Sequence, residues 1–289
     1  MKLVALSCVL GLLVPEGLAL GYHEDVGIPE AARIKQVEAQ SVASRIISGT
    51  NSNWGQNPHL AGLLITLRTG QMSVCGGTLL SSTRVLTAGQ CLYDGYNRYK
   101  KVQVVVDALT LFSGTRREVS SVAVHPGFRP LPPANDLAML TLEYGVYLYR
   151  DVMPAILPSI DDNNQYVGAI ARVAGYGKTS DWSPIGPDQR LQSANVTVVD
   201  LYQCYKSLGQ IGDDVLCTSG TRNWGDAVGP CGGDLGGPLV INNNNSTDAS
   251  TANILIGVVS IQSPIGCENG FPTGYMRVTS YLGWILSNL

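Results

Sequence analysis

Charged side chains are scarce in this sequence. They make up 14% of its 289 residues and leave a net charge of −3, with no basic run. That argues against a nucleic-acid partner held through phosphate contacts. Long apolar runs are missing as well. Beyond the N-terminus no segment approaches the roughly twenty unbroken apolar residues of a membrane span. Histidine is nearly absent, at His23, His59 and His125. No cluster of His, Cys, Asp or Glu has metal-ligand spacing, so neither metal nor cofactor is expected. With 33 glycines and 15 prolines, the chain is too interrupted to be mainly helical.

The start of the chain is a different matter. Lys2 precedes an apolar run from Leu3 to Val14, and Gly17-Leu18-Ala19 follows. This reads as a secretory signal peptide over 1–19, because the run is too short to span a bilayer. Its removal takes Cys8 away and leaves Cys75, Cys91, Cys204, Cys217, Cys231 and Cys267. An even set in an oxidising compartment implies disulfides in a secreted, extracellular protein. Roughly fifteen pairings remain open on arithmetic alone. Glycosylation sequons stand at Asn195-Val196-Thr197 and Asn244-Asn245-Ser246-Thr247, the second at a polar hairpin tip.

Residues 20–45 are polar, helix-compatible and free of cysteine, and read as a pro-segment. From Ile46 the pattern changes to short apolar runs separated by Gly, Asn, Asp and Pro. Examples are Leu63–Leu67, Val102–Val106, Ala138–Leu142 and Leu255–Val259. Such runs suit an all-β sandwich or barrel. Only the end is helical in period: Val278, Tyr281, Leu282, Ile285 and Leu289 recur at three- and four-residue spacing. The stretch from Pro154 to Asn164 is the best internal boundary.

Four separated motifs then agree. Arg45-Ile46-Ile47-Ser48-Gly49 resembles a zymogen activation junction. Cys75-Gly76-Gly77-Thr78-Leu79-Leu80 and Val85-Leu86-Thr87-Ala88-Gly89-Gln90-Cys91 resemble the segments that carry a catalytic histidine. Asn135-Asp136-Leu137-Ala138-Met139-Leu140 resembles the strand that presents a catalytic aspartate. Cys231-Gly232-Gly233-Asp234-Leu235-Gly236-Gly237-Pro238 resembles a nucleophile loop. In kind and order they are similar to the chymotrypsin-like serine protease family. Gly27-Ile28-Pro29 and Pro58-His59-Leu60-Ala61-Gly62 look like its insect digestive members.

The resemblance covers 46–289. It implies two six-stranded antiparallel β-barrels packed together, about 46–160 and 161–277, with a cleft between them and a terminal α-helix over 278–289. It also implies the pairings Cys75–Cys91, Cys204–Cys217 and Cys231–Cys267, and an oxyanion hole at the backbone of Gly233 and Leu235. Cleavage after Arg45 by a trypsin-like protease would free the Ile46 ammonium to pair with Asp234. The specificity pocket would have Gly229 at its base and Ser260, Gln262 and Thr273 in its walls, with Gln262 crowding the entrance.

Two letters depart from the family. Leu235 stands where the serine nucleophile belongs, and Gln90 where the histidine base belongs, while Asp136 is kept. Leucine has no hydroxyl to attack a carbonyl, and a glutamine amide is no base near neutral pH. Loss of one partner in a related triad costs about 10⁶ in turnover, roughly 8 kcal/mol of barrier. None of the three histidines is placed by sequence to replace position 90, and His23 falls in the pro-segment. The expectation is therefore a secreted, catalytically degenerate serine protease homologue, a pseudoenzyme. It would act as a binding, decoy or regulatory protein on proteases, their inhibitors or other secreted proteins. The alternative is a residual or unconventional serine-type endopeptidase of the chymotrypsin-like digestive class.

Overall fold

The computed structural model describes residues 21–38, 43–44, 49–178, 180–181, 188–209, 211–221, 225–242, 253–263 and 265–289. The expected signal peptide, the Arg45–Ile46 junction and the sequon at 244–247 lie outside the described residues.

Two short strands come first, β1 (Ala43–Ser44) and β2 (Thr50–Asn51). Then follow β3 (Leu60–Leu67), β4 (Met72–Leu79), β5 (Arg84–Thr87), β6 (Tyr99–Val106) and β7 (Thr115–Val124). A small hairpin, β8 (Arg129–Pro130) and β9 (Pro133–Ala134), leads to β10 (Ala138–Leu142). The six longer strands close into an antiparallel barrel in the order β10-β5-β4-β3-β6-β7.

The second half comprises β11 (Ile170–Gly175), β12 (Asp188–Gln189), β13 (Gln192–Val199), β14 (Val215–Thr218), β15 (Pro238–Asn242), β16 (Asn253–Ile261) and β17 (Thr273–Arg277). Its ring runs β11-β15-β16-β17-β14-β13 and closes through the β11–β13 pairing. The fold is thus all-β, two six-stranded barrels with a short C-terminal helix. The residues of β2 cross over to pair with β13, so the start of the domain is stitched to the second barrel. Short β1 pairs in parallel with β12.

Strand β3 explains why the sequence here is apolar without alternation. Leu63, Ile65 and Leu67 point into the first-barrel core with Val85 and Leu140. Leu60 and Leu64 point the other way, into a separate cluster with Val74, Val105 and Leu111. Successive side chains of a strand face opposite sides, so both faces of β3 are covered. The second-barrel core gathers Leu216, Leu239, Ile256 and Tyr275. Between the barrels lie Leu86, Leu137, Met139, Val258 and Met276.

Among the described residues, three helical pieces decorate the barrels besides a 3₁₀ turn at Gly89–Cys91. A π-helical turn, His23–Gly27, runs into α1 (Ile28–Glu38). Helix α2 (Leu201–Leu208) is capped by the Asp200 carboxylate, which accepts the Gln203 N–H at 3.1 Å. At the C-terminus a 3₁₀ turn, Val278–Tyr281, precedes α3 (Leu282–Ser287). Leu282 and Ile285 bury that end against the cluster between the barrels. The disulfides are Cys75–Cys91, Cys204–Cys217 and Cys231–Cys267. No helix among the described residues is long and apolar enough to cross a membrane.

Candidate active site

The cleft residues are brought together by turns at strand ends. Gln90 lies on a 3₁₀ turn, Gly89–Cys91, held against β4 by the Cys75–Cys91 disulfide. Asp136 sits just before β10. The Gln90 backbone N–H donates to Asp136 Oδ1 at 2.8 Å, and its Nε2 donates to Oδ2 at 2.6 Å. The Ser260 hydroxyl donates to the same Oδ2 at 2.6 Å. Burial pushes the Asp136 carboxyl above its usual range, and the hydrogen bonds from Ser260 and Gln90 pull it back.

The 231–238 turn is shaped by glycine. Gly233 and Gly236 hold φ of 101° and 80°, the left-handed region that L side chains rarely adopt. A Cβ on Gly236 would lie 2.6 Å from the Gly76 carbonyl oxygen, and one on Gly76 would lie 2.7 Å from Gly237 Cα. Bare backbone is what lets the first barrel touch this loop. The Leu235 carbonyl accepts the Gly76 N–H at 2.7 Å, and its side chain is 2% exposed in the first-barrel core. Asp234 accepts the Gly177 N–H at 2.7 Å and the Cys231 N–H at 3.0 Å. Gly229 lies near Thr273, Ser260 is buried, and Gln262 Nε2 donates to the Cys231 carbonyl at 3.0 Å. Asp181 lies close to Cys231 and Cys267, whose sulfurs are bonded to each other.

A second polar group lies where sequence reasoning did not look. His23 Nδ1 and Ser73 Oγ share a hydrogen bond at 2.9 Å. The Asp94 carboxylate accepts the His23 backbone N–H at 2.7 Å. Asp94 is itself fixed by the N–H groups of Tyr96 and Asn97, at 2.9 and 2.7 Å. All three residues are closed to solvent, at 0%, 0% and 1% exposure for His23, Ser73 and Asp94. Burial holds the imidazole below its usual range, against the pull of the Asp94 and Glu24 carboxylates. A neutral ring beside a hydroxyl is the pairing that nucleophilic catalysis uses. Ser193, by contrast, accepts hydrogen bonds from Ser52 and Gln56 at 3.2 Å.

The matched regions settle the family. The trypsin family model matches residues 46–285. The chain belongs to the trypsin family. It is 34% identical over 248 residues to a collagenase of Hypoderma lineatum, covering 84% of this chain and 87% of that protein. It is 30% identical to serine protease SP24D of Anopheles gambiae, covering 85% and 82%. A solved structure of HL collagenase superposes with a TM-score of 0.70 at 31% identity, covering 84% of this chain and 98% of that one.

These findings correct the sequence reading. Positions 90 and 235 are glutamine and leucine, but it does not follow that the chain keeps no serine–histidine–aspartate group. Ser73, His23 and Asp94 are hydrogen-bonded together. The relatives that match bear the names of proteases. The degenerate homologue, the pseudoenzyme and the non-catalytic decoy are therefore set aside. Ser73 is 50 residues from His23 and Asp94 is 71, so no local motif joins them. No sequence signal marks them; in the structure Gly21 and Gly27 leave room for them. A Cβ on Gly21 would meet the Asp94 carboxylate at 2.3 Å, and one on Gly27 would meet Ser73 Oγ at 1.9 Å.

Proposed function

We propose that this chain is a secreted serine-type endopeptidase of the chymotrypsin-like digestive class that works by an unconventional route and turns over slowly. The observation that carries the reading is the Ser73–His23 hydrogen bond with Asp94 behind it, in a chain whose family relatives are named proteases. On this reading Ser73 Oγ attacks the scissile carbonyl while its proton passes to His23 Nδ1. The proton then goes to the departing amine or alcohol, and water releases the acyl group from Ser73. Asp94 anchors His23 through its backbone rather than its ring. Because the pair is closed to solvent, turnover waits on local opening of the packing around it.

The remaining assignments follow the family resemblance. Residues 1–19 would be removed on secretion, 20–45 would be a pro-segment that supplies His23 to the site, and 46–289 would be the protease domain. A trypsin-like protease would cut after Arg45, and Ile46 would pair with Asp234. The backbone at Gly233 and Leu235 would serve as oxyanion hole, and Gly229, Ser260, Gln262 and Thr273 would line the pocket. The hydrogen bond from Gln262 to Cys231 supports a narrow pocket entrance. Proteases, their inhibitors and other secreted proteins are the partners this role implies, with no nucleic acid among them.

The test is hydrolysis of a chymotrypsin-type peptide ester by the purified chain at neutral pH, alongside Ser73→Ala and His23→Ala. Slow turnover that falls in both variants is expected. Turnover absent from the parent chain, or untouched in both variants, sinks the reading.

A further inference from the structure

Residues 21–38 lie on the protease body as a ligand lies in its site. Their apolar contacts are specific. Ala31 and Ile34 are buried in the cluster formed on the outer face of the first barrel by Leu60, Leu64 and Val74. Tyr22 and Ile28 pack on the first-barrel core that holds Leu235. The apolar outer face of β3 and β4 is covered by this segment together with Leu111, Tyr176 and Leu191 of the body.

The polar contacts hold the same segment at several points. The Tyr22 hydroxyl donates to the Val74 carbonyl at 2.7 Å. The His23 backbone and ring are held by Asp94 and Ser73. Glu24 accepts from Asn97 Nδ2 at 3.3 Å. Glu30, 1% exposed, pairs with Arg33 on its own helix at 2.7 Å and with Lys178 of the body at 3.5 Å.

The seat of the segment is the 231–238 loop itself. A Cβ on Gly232 would lie 3.0 Å from Val26 Cγ1, and one on Gly233 would lie 3.7 Å from Glu30 Cγ. The segment therefore packs on the Cα side of Gly232 and Gly233.

From this packing we propose that residues 21–38 stay bound to the body as a separate, non-covalently held chain after the 39–48 connection is cut. Ile34 and Ala31 are buried against body residues such as Leu60 and Leu64, and Glu30 pairs with Lys178 of the body. Scission removes only the high effective concentration that the tether provides. The bound helix uses an apolar face in a groove, with one charged residue fixing its register. In the cut protein His23 stays beside Ser73. The groove is thus a binding site for a short helical peptide with an apolar face and an acidic residue at the position of Glu30.

A site for a sequence-specific viral protease placed within 39–44 allows the cut to be made without trypsin, which would also attack the exposed Lys35. The cut full-length protein is passed over a native sizing column and each peak is weighed by mass spectrometry. Co-elution of the 21–38 piece with the body, one to one, is expected, with loss of the piece from an Ile34→Asp chain cut the same way. A synthetic wild-type 21–38 peptide should then bind back to that stripped body. If the wild-type piece separates from the body, the proposal is overturned, whether the body stays folded or aggregates. No turnover is read, so silence in the ester assay leaves this result intact.

Discussion

Gln90 holds Asp136 by two bonds, its backbone N–H on one carboxylate oxygen at 2.8 Å and its side-chain Nε2 on the other at 2.6 Å. Asp136 is fully buried. A buried carboxylate without donors is expensive, and removal of one donor leaves that cost exposed.

Gln90→Ala should therefore lower stability by about 1–3 kcal/mol. For a chain of this size that corresponds to about 2–4 °C of melting temperature per kcal/mol. Gln90→His keeps a ring N–H donor and should lose less. A thermal melt of Gln90→Ala that overlays the parent would show that the Nε2 contact contributes nothing.

Most strands were legible because the apolar runs are short and bounded by turn residues. Leu63–Leu67 and Ala138–Leu142 fall inside β3 and β10. The terminal helix was legible in period, although its first turn is 3₁₀ and α3 covers only Leu282–Ser287. What the local pattern could not carry was the role of residues 21–38. Its polarity reads as a pro-segment, and its buried face mixes Ala31 and Ile34 with the polar His23, Glu30 and Arg33, so no apolar period marks it. The complementary signal lay in Leu60 and Leu64, apolar on the outer face of a barrel strand. The Ser73–His23–Asp94 group depends on contacts between distant segments, which no spacing rule reports.

Leu235 has become core. It is 2% exposed and packs in the first-barrel cluster with Cys75 and Cys91. Leu235→Ala should cost about 2–5 kcal/mol, the range for a buried leucine that leaves a cavity. A denaturant midpoint unchanged in Leu235→Ala would mean that the loop collapses onto the vacated space.

The ordinary route can be rebuilt and read directly. Asp136 is in place with Ser260 and the Gln90 backbone around it. The double variant Gln90→His, Leu235→Ser restores base and nucleophile together. In an Ile34→Asp chain cut within 39–44, which sheds the segment, the ester turnover of the double variant should exceed that of the same cut chain without the two substitutions by at least about 10²-fold, the scale that general-base catalysis contributes. No gain would mean that the surrounding backbone no longer fits the tetrahedral intermediate.

His59 supplies an acid weakness. It is 1% exposed and both ring nitrogens lack a hydrogen-bond partner among the described residues. Burial, with the Arg172 charge adding to it, lowers its pKa from 6.5 to about 3. Between those values the unfolded chain binds a proton that the folded chain refuses. Stability is therefore complete above pH 6.5 and is lost as pH falls toward 3, by up to about 5 kcal/mol from this group. His59→Phe removes the titration and fills similar space. Its melting temperature relative to the parent should rise steadily as pH drops from 6.5, and a constant difference across that range would sink the assignment.

Asp234 works in the opposite sense. Burial raises its carboxyl from 3.8 to about 7, and the nearby Glu30 carboxylate adds to the rise. The Cys231 and Gly177 N–H groups and the Arg33 charge oppose it. Here the folded chain keeps a proton that the unfolded chain has lost. Stability from this group falls as pH rises from about 4 to about 7 and is level on either side, a change of about 4 kcal/mol. Asp234→Asn should remove that fall, and Glu30→Gln should shift its upper end to lower pH. The His59 slope overlaps the same window, so each variant is compared with the parent at every pH, where the His59 contribution cancels. Unfolding free energies for Asp234→Asn that run parallel to the parent from pH 4 to 7 would show that the carboxyl ionises freely in the folded chain.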